Sequence, residues 1–337
     1  MNTVVIGAGR MGRRHIEVVK KLGLNLIGVV DLNNESLNVA KKECDIPRDL
    51  LFTDINKVLK NSTPDCAIIS TTADSHANLT RKLAEKRVKY ILVEKPLAVS
   101  LDQCIDMINT CEKYGCILSV NHQMRFMEQY IKPKTLLSSE EYGGFKSMTV
   151  VAGNFGMSMN GTHYFEAFRY LCDEDPYEVT AWFDNEIIPN PRGNQFEDRA
   201  GSIRVTTKSG KRLYLEISSD QGHGLEIIYA ARNGIITVSE LYGDLGGTVR
   251  KKEFRELPTT RYGMPATRKK IKIEAAEVID STALVLEALL KDQNRVTGEQ
   301  GMMAVKVLAA AYKSAENGNK TIRLDEPLNT SRIFPWA

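Results

Sequence analysis

Two side chains stand where they could move a proton or hold a developing negative charge. Lys95 follows the predicted strand 90–94 (YILVE), and Pro96 after it disfavours helical geometry at Lys95 and permits a cis peptide bond. His163 opens a predicted helix, with Glu166 three residues further along the same face. Imidazole suits acid/base work near neutral pH, and an ammonium group can stabilise an alkoxide. The pair therefore indicates acid/base chemistry at an oxygen atom.

Each of these residues also has an ordinary structural explanation. Lys95 could form a salt bridge with Glu94 in a loop, and His163 could pack or cap at the start of its helix. Asn160 is predicted to be the N-cap of that helix, because its side-chain oxygen could accept a hydrogen bond from a backbone amide near His163. The position of Lys95 after a parallel strand favours the chemical interpretation, since ligands bind at the carboxyl ends of such strands.

A glycine-rich turn supplies the strongest binding signal. Gly7, Gly9 and Gly12 follow a short apolar strand and open a helix, and Asp31 ends the next apolar run 19 residues beyond Gly12. Glycines at this spacing let the backbone approach a pyrophosphate at the helix N-terminus, and an acid at that place can bond the adenosine ribose. No Arg or Lys occupies 32–34, and a carboxylate repels a ribose 2′-phosphate. The turn predicts NAD as the cofactor, with NADP less favoured.

The elements that must position these residues fall into two domains. Residues 1–122 alternate apolar strands with amphipathic helices, which predicts a doubly wound parallel sheet of the Rossmann type that binds NAD. Past residue 144 the pattern predicts antiparallel strands, with a hairpin at Asn233-Gly234. Residues 123–337 are therefore predicted to be an α+β domain with a large, mostly antiparallel open sheet. One face of strand 211–218 is apolar and the other mixed, and the mixed face could meet solvent or a partner subunit.

Composition narrows the class of protein. The chain has 337 residues, enough for two cores, and its net charge of +3 is too small to indicate nucleic acid or membrane as a partner. No apolar run reaches the length of a membrane span, and the chain enters a strand without a signal peptide, so we expect a cytoplasmic protein. Six cysteines without a Cys-x-x-Cys pair are predicted to be free thiols, and no metal site is expected.

Four segments together resemble one known family. Residues 7–12 (GAGRMG), 71–76 (TTADSH), 94–98 (EKPLA) and 161–163 (GTH) are similar, in order and spacing, to the glucose-fructose oxidoreductase, inositol dehydrogenase and rhizopine-catabolism family, Gfo/Idh/MocA. The resemblance spans the whole chain. It implies an NAD(P)-dependent oxidoreductase that acts on a CH-OH group of a sugar, cyclitol or sugar derivative, and a homodimer or homotetramer formed through the C-terminal sheet.

The resemblance also implies roles for individual residues. Lys95 would contact both nicotinamide and substrate, and His163 would be its acid/base partner, although the sequence does not decide which of the two accepts the proton. The cofactor site would be lined by Gly7, Gly9, Arg10, Met11, Gly12, Asp31, Thr71, Thr72, His76, Glu94, Lys95 and Pro96. The substrate would be bound by Lys95, Gln123, Arg125, Asn160 and His163.

The chain departs from the family pattern at several of these positions. Asn160 and Glu166 stand where the family often has Asp, and Met124 stands where a basic residue is frequent. The usual substrate is therefore in question. Two other functions stay open: a non-redox net reaction with transient NAD reduction, as in an epimerase or a glycosidase-like enzyme, and a sensor that binds NAD and a sugar without turnover.

One charged segment is left over. The segment from Arg250 to Lys272 contains nine basic residues and only two acidic ones. The plain interpretation is a solvated surface loop. The alternative is a lid, suggested by Pro258, Gly263 and Pro265, that steers an anionic or nucleotide-linked sugar.

Overall fold

The computed structural model describes residues 1–153, 156–185, 187, 190–218, 220–258 and 265–337. In its N-terminal part, short apolar runs become parallel strands and the amphipathic stretches between them become helices. The strands are β1 (Asn2–Ile6), β2 (Asn25–Val30), β3 (Leu51–Phe52), β4 (Cys66–Ile69), β5 (Tyr90–Val93) and β6 (Ile117–Val120). The helices are α1 (Arg10–Lys21), α2 (Asn34–Glu43), α3 (Ile55–Asn61), α4 (Ala73–Glu85) and α5 (Leu101–Tyr114).

These strands pair in the order β3-β2-β1-β4-β5-β6. The order reverses direction between β1 and β4, so the carboxyl ends of those two strands flank the crevice where dinucleotides bind in such sheets. The predicted Rossmann sheet is confirmed. Local signals for α5 are confirmed too, because Ser100 Oγ accepts the backbone N–H of Gln103 and Gly115 ends the helix at φ +71°.

The rest of the chain contributes four more helices and a second sheet. The helices are α6 (Glu128–Leu137), α7 (Thr162–Cys172), α8 (Val278–Lys291) and α9 (Gly298–Glu316). The strands of this sheet are β7 (Phe145–Gly153), β8 (Pro176–Phe183), β9 (Gly201–Thr207), β10 (Arg212–Ser218), β11 (Glu226–Ala231), β12 (Gly234–Ser239), β13 (Asp244–Arg250), β14 (Ala266–Lys272) and β15 (Ile322–Arg323). They form a nine-stranded sheet in the order β14-β13-β12-β11-β7-β10-β9-β8-β15, in which β7 and β10 are parallel.

The two faces of this sheet differ as the alternation in β10 predicts. Leu213, Leu215 and Ile217 are buried on one face, and each such side chain contributes about 1.5–3 kcal/mol on burial. Tyr214 stands on the opposite face and is 40% exposed. The hairpin at Asn233-Gly234 is confirmed, with β11 and β12 antiparallel on either side.

Contacts divide the chain into two compact units whose limits differ from the predicted domains. The first unit is 1–123 with 277–305 and 329–337, and the second is 124–276 with 306–328. Sequence analysis assigned 277–305 and 329–337 to the second domain. They pack with the first because α8 lies against α1 and because Phe334 donates its backbone N–H to Val99 O at 2.9 Å.

The basic segment is partly a strand, so for residues 266–272 both the lid and the surface-loop interpretations are wrong. β14 pairs with β13 along its whole length, from Asp244 opposite Lys272 to Arg250 opposite Ala266. Lys269 forms a salt bridge with Glu141 at 2.9 Å. The basic composition suggested a loop, but a strand at a sheet edge can also carry charge on both faces. Such charge discourages pairing with the edge of another sheet. Arg261 and Gly263 lie outside the described residues.

A carboxylic acid is buried in the second unit. Glu240 is 5% exposed, and Tyr130 donates its hydroxyl to Glu240 Oε2 at 2.9 Å. Burial raises the pKa of Glu240 to about 7, against the opposing effect of the Tyr130 and Tyr164 hydroxyls. Because this pKa lies above the ordinary value of 4.5, the folded unit binds a proton more tightly than the unfolded chain does.

We expect Glu240 to make the protein less stable as the pH rises from about 4.5 to about 7. In that window the loss is of order 1.4 kcal/mol per pH unit, with little further change above it. Glu240→Gln removes the titrating group and should reduce the fall in unfolding free energy between pH 5 and 8 by roughly 3 kcal/mol. Urea denaturation of both proteins at the two pH values measures this. Equal pH dependence, or the same reduction in the control Glu226→Gln on the exposed face, would contradict it.

No helix of the described chain is long and apolar enough to cross a membrane. The six cysteines are free, and all but Cys116 are buried. Burial raises the pKa of Cys66 to about 12, so this thiol stays protonated at neutral pH.

Candidate functional site

The glycine turn after β1 is shaped by backbone packing on one side and is open on the other. Gly7 has φ +99°, and a Cβ at Gly12 would lie 1.8 Å from Gly7 O. A Cβ at Gly9 would have no atom of the described chain within 4 Å. Gly9 is also the N-cap of α1, whose first turn carries no acidic residue. These residues fit a dinucleotide, because the turn leaves room for a pyrophosphate at an uncapped helix N-terminus.

Asp31 is fixed beside this turn. Its Oδ2 accepts the backbone N–H of Ala8 at 2.7 Å, and its Oδ1 accepts that of Asn33 at 2.8 Å. The side chain is partly exposed, so its remaining lone pairs can accept ribose hydroxyls. The same negative charge disfavours a 2′-phosphate.

We expect the protein to bind NAD more tightly than NADP, and Asp31→Ala to narrow the gap by removing the repulsion of the 2′-phosphate. The variant should also bind NAD itself more weakly, because the Ala8 amide loses its acceptor. Titration of both cofactors into both proteins, followed by protein fluorescence, gives the four dissociation constants. Comparable affinities for the two cofactors in the unaltered protein would defeat this prediction.

The loop after β4 is tied to the loop after β5 by a histidine. His76 is 1% exposed; its Nε2 lies 3.2 Å from Thr71 O and its Nδ1 lies 3.2 Å from Pro96 O. Burial lowers the pKa of His76, although these carbonyls oppose it. Thr71 Oγ1 is 2.6 Å from Ser75 Oγ, and Thr72 is the N-cap of α4. Both loops leave carboxyl ends of neighbouring strands, where the sequence predicts the cofactor.

The segment that carries Lys95 is anchored by its neighbour. Glu94 accepts a hydrogen bond from Asn121 Nδ2 at 2.7 Å, and its Oε1 also lies 2.8 Å from His15 Nε2. Burial alone would raise the pKa of Glu94, but the His15 contact, the charge of Lys95 and the Asn121 bond hold it well below its usual range. The buried acid is therefore paired with His15 rather than only with Lys95. The Lys95–Pro96 peptide bond is cis, as the sequence allows.

His163 belongs to the second unit and is 6% exposed near the start of α7. The turn before it, Met157–Gly161, is a π-type turn, a feature that recurs at functional sites. Asn160 is not the N-cap that the sequence predicts. The turn begins earlier, at Met157, and the carboxylate of Asp198 accepts the N–H groups of Ser158 at 2.7 Å and Met159 at 2.8 Å.

The sequence around Asp198 carries no local signal for this capping role. Asp198 lies 40 residues from Ser158 in the chain. The side-chain oxygen that caps the turn thus comes from the segment before β9, and only the fold brings it there.

A buried ion cluster follows on the same helix. Glu166 forms salt bridges with Arg125 and with Arg169, the latter at 3.2 Å between Arg169 Nη2 and Glu166 Oε1. Arg125 also lies 5.4 Å from the centre of the Tyr170 ring. The cluster explains Glu166 at a position three residues after His163: it compensates buried guanidinium charge.

The predicted residues are thus distributed over both units. The first unit brings together those predicted for the cofactor, together with Gln123, the last residue of its first segment. The second unit holds Arg125, Asn160 and His163. Among the described residues, no group of three or more His, Cys, Asp or Glu side chains could hold a metal ion.

Known proteins resemble this chain over its N-terminal part and, more distantly, over its whole length. Residues 1–122 match the model of the GFO_IDH_MocA oxidoreductase family, NAD-binding Rossmann fold. Myo-inositol 2-dehydrogenase of Thermotoga maritima is 22% identical over 363 aligned residues, which cover 97% of this chain and 99% of the relative. Inositol 2-dehydrogenase of Mycolicibacterium smegmatis is 24% identical over 67% of this chain and 68% of its own.

The fold is similar to that of solved structures. An oxidoreductase from Agrobacterium radiobacter, solved in complex with NAD+, L-tartaric acid and magnesium, superposes with a TM-score of 0.79 at 19% identity. The alignment covers 96% of this chain and 98% of that protein. At this identity the likeness shows a shared fold over both units.

Proposed function

We propose that this chain, a member of the Gfo/Idh/MocA family of NAD-binding oxidoreductases, transfers hydride between nicotinamide and the carbon atom that carries a secondary hydroxyl of a sugar, cyclitol or sugar derivative. The observation that carries the proposal is Lys95, held by a buried carboxylate directly after β5 in the unit that contains the glycine turn. The substrate class is supported by the inositol dehydrogenases among the relatives.

The residues divide the chemistry between them. Bound NAD supplies the hydride acceptor, the nicotinamide ring. As the alcohol is oxidised its hydroxyl proton must leave at nearly the same time, so a base must lie within about 3 Å of that oxygen. We assign this role to the imidazole of His163. The ammonium group of Lys95 holds the negative charge that develops on the oxygen.

Further residues complete the proposed site. We propose that the other hydroxyls of the substrate are bound by Arg125, which Glu166 fixes, and by Gln123 and Asn160. The departure at Asn160 supports a substrate different from that of the inositol enzymes, because an amide cannot accept a proton as a carboxylate can.

The test is a substrate panel with NAD, followed by the absorbance of reduced nicotinamide. The panel contains cyclitols, neutral sugars, sugar acids, sugar phosphates and nucleotide-linked sugars, so that each neutral compound has an anionic counterpart. We expect at least one member to reduce NAD in the unaltered protein and none to do so appreciably in Lys95→Met. Product formation without net reduction of NAD would indicate an epimerase or glycosidase-like cycle. Binding of NAD and a sugar without any product would indicate a sensor.

We also propose that the protein forms a homodimer or homotetramer through the open face of the nine-stranded sheet. Tyr214 and Ile228 flank Thr149 on neighbouring strands of that face, and Trp182 and Ile235 lie further out. All four large side chains are between 38% and 48% exposed. An apolar strip of this kind is typical of a subunit interface.

Light scattering after size-exclusion chromatography tests the assembly. Ile228→Asp should lower the mass of the particle to that of a single chain. Ile105→Asp, at an equally exposed position on α5, is the control and should leave the mass unchanged. A single-chain mass for the unaltered protein would refute the proposal.

A further inference from the structure

A buried carboxylate lies directly before Lys95 and is contacted by three polar groups. Oε1 of Glu94 lies 2.8 Å from Nε2 of His15 and accepts Nδ2 of Asn121 at 2.7 Å. Oε2 accepts the backbone N–H of Lys95 at 3.3 Å. His15 and Asn121 are fully buried, and Glu94 is 5% exposed. Every group in this network belongs to the first unit.

His15 connects two parts of the predicted cofactor site. It lies in α1, the helix that the glycine turn opens, and its imidazole reaches Glu94 at the end of β5. Asn121, directly after β6, donates a hydrogen bond to the same oxygen. The carboxylate therefore ties the helix that would support the pyrophosphate to the backbone of Lys95.

Only one nitrogen of the His15 imidazole, Nε2, has a hydrogen-bond partner among the described residues. Nδ1 of His15 is buried and has no hydrogen-bond partner among the described residues. An unpartnered polar atom is costly in a protein interior, so His15 is not explained as filling for the core. What distinguishes it from an apolar residue at this place is its bond to Glu94.

We propose that His15 is a positioning residue for Lys95: through Glu94 it fixes the Lys95 backbone relative to the glycine turn, so that the ammonium group meets the reacting oxygen. The inference rests on the proposed function for the role of Lys95. It predicts that loss of His15 damages turnover more than it damages the binding of NAD or substrate.

Two substitutions of His15 separate positioning from general stability. His15→Leu removes the bond to Glu94, and His15→Gln restores a donor through its side-chain amide. We expect His15→Leu to lower kcat at least about tenfold, with KM and the NAD dissociation constant within about threefold, and His15→Gln to recover kcat to within about threefold. Val19→Ala, a cavity at a fully buried position of the same helix, is the control and should lower Tm without lowering kcat.

Hydrogen exchange tests the positioning without a substrate. In His15→Leu the amides of residues 94, 95, 97 and 98 should exchange at least about tenfold faster than in the unaltered protein, while His15→Gln and Val19→Ala stay near it. If His15→Leu does not fold, Asn121→Ala removes the second bond to the same oxygen and should accelerate the same amides. Unchanged exchange in this segment, or full kcat in His15→Leu, would overturn the inference. A silent substrate panel together with the expected exchange would refute the proposed function and support the positioning.

Discussion

Replacing Lys95 with Met or His163 with Asn is expected to lower turnover at least about a hundredfold, with NAD affinity changed only a few fold. Removal of a charge stabiliser or of an acid/base group typically has effects of this size. The two residues come from different segments of the chain, so a comparable loss in both variants would support their joint action at one oxygen. Steady-state kinetics with the best compound of the panel, together with NAD titration, measures both quantities.

Matched control substitutions show whether the loss of turnover is specific to Lys95 and His163. Lys89→Met changes an exposed lysine at the other end of β5, and His223→Asn changes an exposed histidine of the second unit. Both controls should keep near-normal turnover. If Lys95→Met or His163→Asn did the same, that residue would be removed from the mechanism.

Gly12→Ala should abolish NAD binding or prevent the first unit from folding. The new Cβ would lie 1.8 Å from Gly7 O and 2.7 Å from Gly7 C, and neither backbone atom can move without distorting the turn. We expect affinity for NAD to fall at least about a hundredfold, equivalent to about 2.7 kcal/mol. Calorimetric titration measures the affinity, and circular dichroism shows whether the chain has folded.

Gly9→Ala gives the contrasting case. Its Cβ has no neighbour within 4 Å in the described chain, so the variant should fold with a normal Tm. The methyl group would instead occupy the space where we expect the pyrophosphate, and NAD should bind more weakly for that reason alone. Near-normal NAD affinity in Gly12→Ala would show that the turn can relax.

Features with a local cause could be predicted from the sequence. The glycine turn, the capping residues of α5 and the hairpin at Asn233-Gly234 each depend on a few consecutive residues, and the structure confirms all three. The same holds for the α9 start, where Thr297 and Gln300 exchange hydrogen bonds as a capping box.

Features that depend on a partner far away in the chain could not be predicted from the sequence. Asn160 has the right chemistry for an N-cap, but Asp198 occupies that role because the fold brings another segment to the turn. Residues 266–272 are too basic for a buried strand, and only pairing with β13 shows that they are an edge strand. The bond between His15 and Glu94 links residues 79 positions apart, and no spacing rule anticipates it.

The discontinuous first unit has a consequence for how the chain is made. Domains usually fold in turn as they leave the ribosome. Here α1 needs α8 beside it, Val120 bonds Val296, and Asp102 bonds Thr330. The NAD-binding unit therefore stays incomplete during translation until more than 150 intervening residues have been synthesised. Those intervening residues, 124–276, contain most of the second sheet and are complete before the first unit is. During translation the order of assembly should run against the order of the sequence, and the earliest part of the chain to emerge should depend longest on chaperones.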